Sequence, residues 1–295
     1  MLWNTIILGL TFGIHLSAHA QAPPRETVAK VIQQNPLSQR RLSESSGLVA
    51  SPSQPGVLWT LNDSGNPPEL FATDMAGKNL GVYTIRRAAN RDWEALAVAP
   101  CGDDACLYAG DVGDNSARRA EVTIYRVREP QVRDSAVAEE IEPQAVLILT
   151  YPDGPQDVEA MFVTASGRIF LISKGRMNQP KLYYLDLAIG DKGFLQGTAQ
   201  LAQQVDIPTT TGLAYQVTDA ALAGDGRLVA VRTYRYIYFF RLDGHRFFTD
   251  LSRARCDATG VDAQGEAITW LANGHLATTS ERLLNAGGTI TELEC

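Results

Sequence analysis

Five residues in this chain could supply oxygen ligands from equivalent places: Ser46, Glu94, Glu159, Thr218 and Glu266. Each opens a short apolar run, such as Ala95-Leu96-Ala97-Val98 after Glu94 and Ala160-Met161-Phe162-Val163 after Glu159. Three carboxylates brought to one place would repel as anions. A hard cation with six to eight oxygen ligands relieves that repulsion, and Ca²⁺ suits carboxylate, hydroxyl and backbone oxygens. The alternative is a set of hydrated, hydrogen-bonded acids with no metal.

A second set of polar residues follows each of these runs after a tight turn and another apolar stretch. The first two repeats offer Asn62, Asp63, Asp111, Asp114 and Asn115; the later ones offer Lys174, Arg176, Arg232, Tyr234, Glu281 and Arg282. One side is acidic and the other mostly basic. A metal beside a basic arc could cradle an anionic oxygen group such as phosphate. In that chemistry Asp111 or Asp114 would be the general base for water, with Lys174, Arg176 and Arg232 holding the developing negative charge. Asp63, Asn115, Tyr234 and Arg282 complete the candidate substrate contacts. Against this stands a plain reading, since Asp, Asn and Gly favour turns for backbone reasons alone.

The elements that must position these residues are strands. The pairs of runs begin at 46, 94, 159, 218 and 266. Repeats of roughly 40–50 residues containing several short strands mark a β-propeller. The predicted fold is all-β, with five four-stranded blades at 46–86, 93–151, 158–206, 217–251 and 265–293. Six blades follow if the connections 113–122, 129–145 or 187–199 hide further strands. Residues 27–32 have β character and no nearby partner, which suits the outer strand of the last blade. In a propeller the first strand of each blade lines the channel, so the five oxygen-bearing residues form a ring at one mouth. The similar third strands, Thr123–Val127, Lys181–Asp186 and Tyr236–Arg241, place aromatics between blades. A β-sandwich explains the alternation equally well, but not the recurring acid-and-hairpin unit.

Residues 6–16 form an apolar run too short to span a bilayer, followed by Ala18-His19-Ala20, a small-x-small cleavage pattern. Residues 1–20 are therefore read as a signal peptide, against a retained anchor, and 21–295 as one domain in the periplasm or outside the cell. No later stretch is apolar enough to cross a membrane. A net charge of -7 argues against a nucleic-acid partner. Four cysteines in an exported chain imply disulfides. Cys101 with Cys106, and Cys256 with Cys295, is the favoured of three pairings; a four-cysteine zinc site is the poorer alternative. Two of the four histidines lie in the leader, which leaves little for a His-based zinc site or a Ser-His-Asp triad.

Two resemblances rest on these residues. The string Asp92-Trp93-Glu94-Ala95-Leu96-Ala97, continued by Leu107-Tyr108-Ala109-Gly110-Asp111-Val112-Gly113-Asp114-Asn115, resembles a family of secreted, largely uncharacterised bacterial propellers. More distantly, the order Ser, Glu, Glu, hydroxyl, Glu is similar to that of the calcium-activated nucleotidases (apyrases), five-bladed propellers with a central Ca²⁺. That resemblance implies metal-site roles for Ser46, Glu94, Glu159, Thr218 and Glu266. The chain departs from it at Thr218, at the Gly113-Asp114-Asn115 loop and in a fuller fifth blade. Two main functions follow as expectations: a Ca²⁺-dependent hydrolase of a phosphate-containing small substrate, or a non-enzymatic propeller binding a protein or glycan with structural Ca²⁺. Lactone or sugar-ester hydrolysis is a weaker third.

Overall fold

A computed structural model describes residues 26–133, 136–176, 178–186, 193–209, 212–250, 254–282 and 288–295. The leader assigned to 1–20 lies outside them. In chain order the strands are β1 (Glu26–Val28), β2 (Lys30–Pro36), β3 (Ser45–Ala50), β4 (Leu58–Asn62), β5 (Glu69–Thr73), β6 (Gly81–Ile85), β7 (Trp93–Cys101) and β8 (Asp104–Asp111). Next come β9 (Val122–Arg128), β10 (Val137–Ile141), β11 (Ala145–Thr150), β12 (Val158–Val163), β13 (Ile169–Ser173), β14 (Lys181–Leu185), β15 (Gly193–Thr198) and β16 (Gln200–Gln204). The last are β17 (Val217–Leu222), β18 (Leu228–Thr233), β19 (Tyr236–Asp243), β20 (Arg246–Thr249), β21 (Arg255–Asp257), β22 (Gly265–Trp270), β23 (Leu276–Ser280) and β24 (Thr289–Glu294).

They form five sheets, and β3, β7, β12, β17 and β22 each stand at one edge of theirs. These five strands touch one another in a closed circuit, each against the next and β22 against β3. The protein is a five-bladed β-propeller. Two of the long connections do contain strands, but neither starts a sixth blade. Strand β10 adds to the outer edge of blade one, parallel to β6, and β15 adds to blade two, parallel to β11. Blade four departs from expectation too. Strand β20, predicted as its outer strand, pairs only with one end of β19, and β21 occupies the other end.

The N-terminal segment closes the ring, but not as one strand. It breaks at Ala29: β1 runs parallel to β21 of blade four, and β2 then pairs antiparallel with β24 of blade five. Cys256 of β21 is bonded to Cys295 beyond β24, so a disulfide crosses the same seam. The other disulfide, Cys101–Cys106, staples the β7–β8 hairpin. Both pairings agree with the expectation.

Alternation along the strands explains why the blades stack. Successive side chains point to opposite faces. On β7, Ala95, Ala97 and Ala99 pack with Met161 and Leu171 of blade three, whereas Trp93 and Leu96 pack with Trp59 and Leu61 of blade one. Each of five buried clusters joins two neighbouring blades, and the fifth joins blade five to blade one through Ala267, Ile290, Leu48 and Phe71. The third-strand aromatics Tyr125, Tyr183 and Tyr238 lie in these clusters.

Candidate functional site

Each of the five candidate ring residues is the extra residue of a β-bulge. Pairing of β3 with β4 jumps from Ser45 to Gly47, and β7, β12, β17 and β22 skip Glu94, Glu159, Thr218 and Glu266 in the same way. A bulge leaves one residue without an opposite number and re-aims its side chain. Repeated at the second position of every inner strand, it gathers all five at one end of the channel. All five are buried. Gly47 follows the first bulge where a Cβ would come within 2.6 Å of the Leu96 backbone nitrogen, so this close approach of β3 to β7 needs glycine.

Within the ring, Ser46 Oγ donates to Glu94 Oε2 at 2.7 Å. The Lys174 ammonium lies 2.8 Å from Glu159 Oε1 and 6.0 Å from the centre of the Tyr234 ring. Gln264 Nε2 donates to Glu266 Oε1 at 3.0 Å and to Glu281 Oε2 at 2.7 Å. Thr218 Oγ1 is buried and has no hydrogen-bond partner among the described residues. Asp63, Asp92 and Glu94 each bring one carboxylate oxygen to within 4.8 Å of the others. A hard cation needs such oxygens. Of the five ring positions, Glu94 thus joins a cation-sized group, Ser46 supports it, and Glu159 faces Lys174 instead.

The mouth is crowded with buried acids. Burial, then the charges of Glu159 and Asp63, holds the Glu94 carboxyl well above the usual range. Burial likewise raises Glu159, against the pull of Lys174, and Glu266. Burial and then Asp63 raise Asp92 to about 6, and burial and then Glu266 raise Glu281 to about 8. For Lys174 burial alone would lower the pKa, but Glu159, Tyr234 and Glu94 outweigh it and raise it.

A carboxyl raised on folding stabilises the folded state while protonated, fully below its unfolded pKa; that contribution is lost as pH rises through the folded value. For Glu281 the loss runs from about 4.5 to about 8, and for Asp92 from about 3.8 to about 6. The chelator-treated protein should therefore melt at progressively lower temperature from pH 5 to pH 9, and Glu281→Gln should flatten the upper part of that slope. A melting temperature that climbs over this range in scanning calorimetry would contradict the burial of these acids.

Other candidates are placed differently from expectation. Asp111 is buried, 2.9 Å from the Arg119 guanidinium, and accepts the Asp92 N–H. Asp114 accepts the Arg119 N–H, and its own N–H goes to Asp157. Both tie the β8–β9 loop to the blade, Asp111 through the Arg119 guanidinium and Asp114 through the Arg119 backbone N–H. Asn115 bonds Arg176, whose Nε lies 2.7 Å from Asp157. Arg232 is not on the basic arc: it is 1% exposed, and its guanidinium lies 2.8 Å from Asp262, whose side chain is likewise inaccessible. Arg282 is half-buried, and its N–H bonds the Ser43 carbonyl. Four acids were not among the candidates. Asp92 sits two residues before Glu94, and the pair Asp92/Glu94 is a signal that could have found it. Asp157 bears the same relation to Glu159. Asp262 and Asp219 gave no signal; Asp219 is wholly buried, accepting the Ala220 and Ile268 N–H groups at 2.8 Å each.

A cavity of about 240 Å³ opens beside the mouth between blades two and three, lined by Lys174, Arg176 and Lys181 with Asp157. The cation-sized carboxylate group and this cationic cavity share Lys174's neighbourhood.

No family model matches this chain, and no curated protein matches it. Among solved structures, virginiamycin B lyase from Staphylococcus aureus is similar at 14% identity and a TM-score of 0.42, over 90% of this chain and 73% of that one. A glucose dehydrogenase is similar at 11% identity and a TM-score of 0.48, over 89% and 99%. The Dos1 propeller is similar at 13% and 0.39, over 80% and 52%. These likenesses are of fold. Among the described residues no helix is long and apolar enough to cross a membrane.

Proposed function

We propose that this chain is an exported, Ca²⁺-binding propeller that takes a small anionic ligand at one mouth of its channel. The observation that carries the reading is the convergence of Asp63, Asp92 and Glu94 within 4.8 Å at that mouth. Asp92 and Glu94, raised by burial and then by neighbouring carboxylates, gain from a bound cation. Asp63, Asp92 and Glu94 would hold it; in the same ring the buried Thr218 hydroxyl has no hydrogen-bond partner among the described residues. When bound, the ion would supply positive charge to draw and polarise an anionic oxygen group. Lys174, Arg176 and Lys181 in the neighbouring cavity suit the rest of such a ligand. The resemblance to secreted propellers and to calcium-activated nucleotidases points the same way. Export is supported by the leader pattern and is compatible with two disulfides.

Calcium should raise the melting temperature, since a ligand of the folded state alone stabilises by about 2.7 kcal/mol at a hundred times its Kd. Asp92→Asn and Glu94→Gln should fold and lose most of that response. Identical melting of chelated and calcium-loaded protein would remove the site.

Hydrolysis of a phosphate-bearing ligand is the second reading, favoured by acids and cations facing one another across Lys174. The carboxylates that could take a proton from water there are Asp63, Asp92, Asp111 and Asp114, the last two also bonded to Arg119. Calcium-dependent phosphate release from a panel of nucleotides and phosphoesters tests it; binding without turnover leaves the ligand-binding propeller.

A further inference from the structure

The opposite end of the channel has a different chemistry. Beyond the bulges the inner strands carry apolar side chains, and the channel widens into an open cavity of about 660 Å³. That is within the range of roughly 300–1,000 Å³ typical of small-molecule sites. All five inner strands contribute to its wall: Leu48, Ala97, Met161, Ala221 and Trp270 stand for each in turn. These positions lie two to four residues past the ring, and at about 3.3 Å per residue they are roughly 7–13 Å from it along the strands. The cavity is therefore separate from the acid-crowded mouth.

Its polar rim is one-sided. Asp103, Asp104 and Glu129 line it, and among the described residues no Lys, Arg or His does. Asp104 is neutralised by Arg128 at 3.0 Å. Glu129 is buried, accepting the Trp59 indole N–H at 2.8 Å and the Ser53 hydroxyl at 2.5 Å, with no cation paired to it among the described residues. Asp103 is exposed on the Cys101–Cys106 hairpin, which the disulfide holds at the rim. Apolar walls under a rim with two acids that no cation pairs among the described residues suit an apolar body that ends in a cation. We infer that this cavity is a second ligand site, for a small amphipathic amine whose hydrocarbon enters the channel and whose ammonium stays beside Asp103 and Glu129. The inference does not depend on the reading of the mouth.

The probes are n-alkylammonium ions of eight to twelve carbons, titrated calorimetrically into the full folded chain below their micellar concentrations. Saturable binding should tighten about fourfold with each added methylene, as burial of hydrocarbon requires. The alkyl carboxylate of equal length should bind at least tenfold more weakly, and Asp103→Asn should narrow that gap. Asp92→Asn, at the other mouth, should leave the affinity unchanged. A bromine-terminated alkylammonium should quench the Trp270 fluorescence, a loss absent from Trp270→Phe, which places the ligand without a cavity-filling variant. Absence of saturable binding, equal affinity for ammonium and carboxylate, or quenching that survives Trp270→Phe each overturns the proposal.

Discussion

Asp262→Ala is expected to lower stability by about 3–5 kcal/mol, because it leaves the Arg232 guanidinium buried without its partner. Both side chains are essentially inaccessible, at 1% and 0% exposure. Asp262 also accepts the hydroxyls of Thr278 at 2.9 Å and Thr291 at 3.1 Å, so its loss strands three donors on blades four and five. Arg232→Ala should be destabilising for the same reason, and Gly265→Ala as well, since a Cβ there would come within 1.6 Å of Arg232 Nη2. Replacing both charges together with apolar residues of matching volume should recover much of the loss, as buried pairs contribute less than breaking them costs. Urea denaturation of the two single variants and the double variant reads this directly. If Asp262→Ala shifts stability by less than about 1 kcal/mol, the pair is hydrated rather than buried.

Removing the Cys256–Cys295 disulfide should cost roughly 4 kcal/mol, and removing Cys101–Cys106 only about 2 kcal/mol, on the chain-entropy account of cross-links. The difference arises because the first closes a span of 39 residues and the second a span of 5. The larger bond also joins blade four to the end of blade five, so its loss frees a seam rather than a hairpin. Paired Cys→Ser variants compared by thermal melting test the ranking. A larger loss at Cys101–Cys106 would mean that strain or residual unfolded structure, and not loop length, dominates.

Much of the architecture was legible because the propeller repeats one local instruction. An acid or hydroxyl, an apolar run, a turn and a second apolar run recur five times, and the inner strands fall within a few residues of their predicted places. The ring positions were legible for the same reason, although the bulge that aims them was not: a bulge depends on pairing between strands, and Ala95 or Gly47 carries no local mark of it. The outer edges were least legible. Strands β10 and β15 are short, half-exposed and paired in parallel with distant partners, so neither alternation nor a hairpin turn announces them. Arg232 shows the limit for the site. Its place after a second strand suggested a rim cation, yet Asp262, thirty positions later in the chain, draws it inward.

The split N-terminal segment sets the order in which the molecule can be completed. Pairing of Lys30 with Glu294 joins nearly the two ends of the chain, and Glu26 with Arg255 is almost as remote. Such pairings are slow to form, because the entropy of closing a long loop is lost before the contact returns anything. Blade five cannot acquire β2 until β24 has been made, so a chain truncated before β24 carries an open ring with the β2 edge bare. Once shut, the ring reverses the argument: opening must part β1 from β21 and β2 from β24 while the disulfide still holds the seam. A ring closed in this way is expected to unfold slowly, which would be read as a small unfolding rate in a denaturant jump.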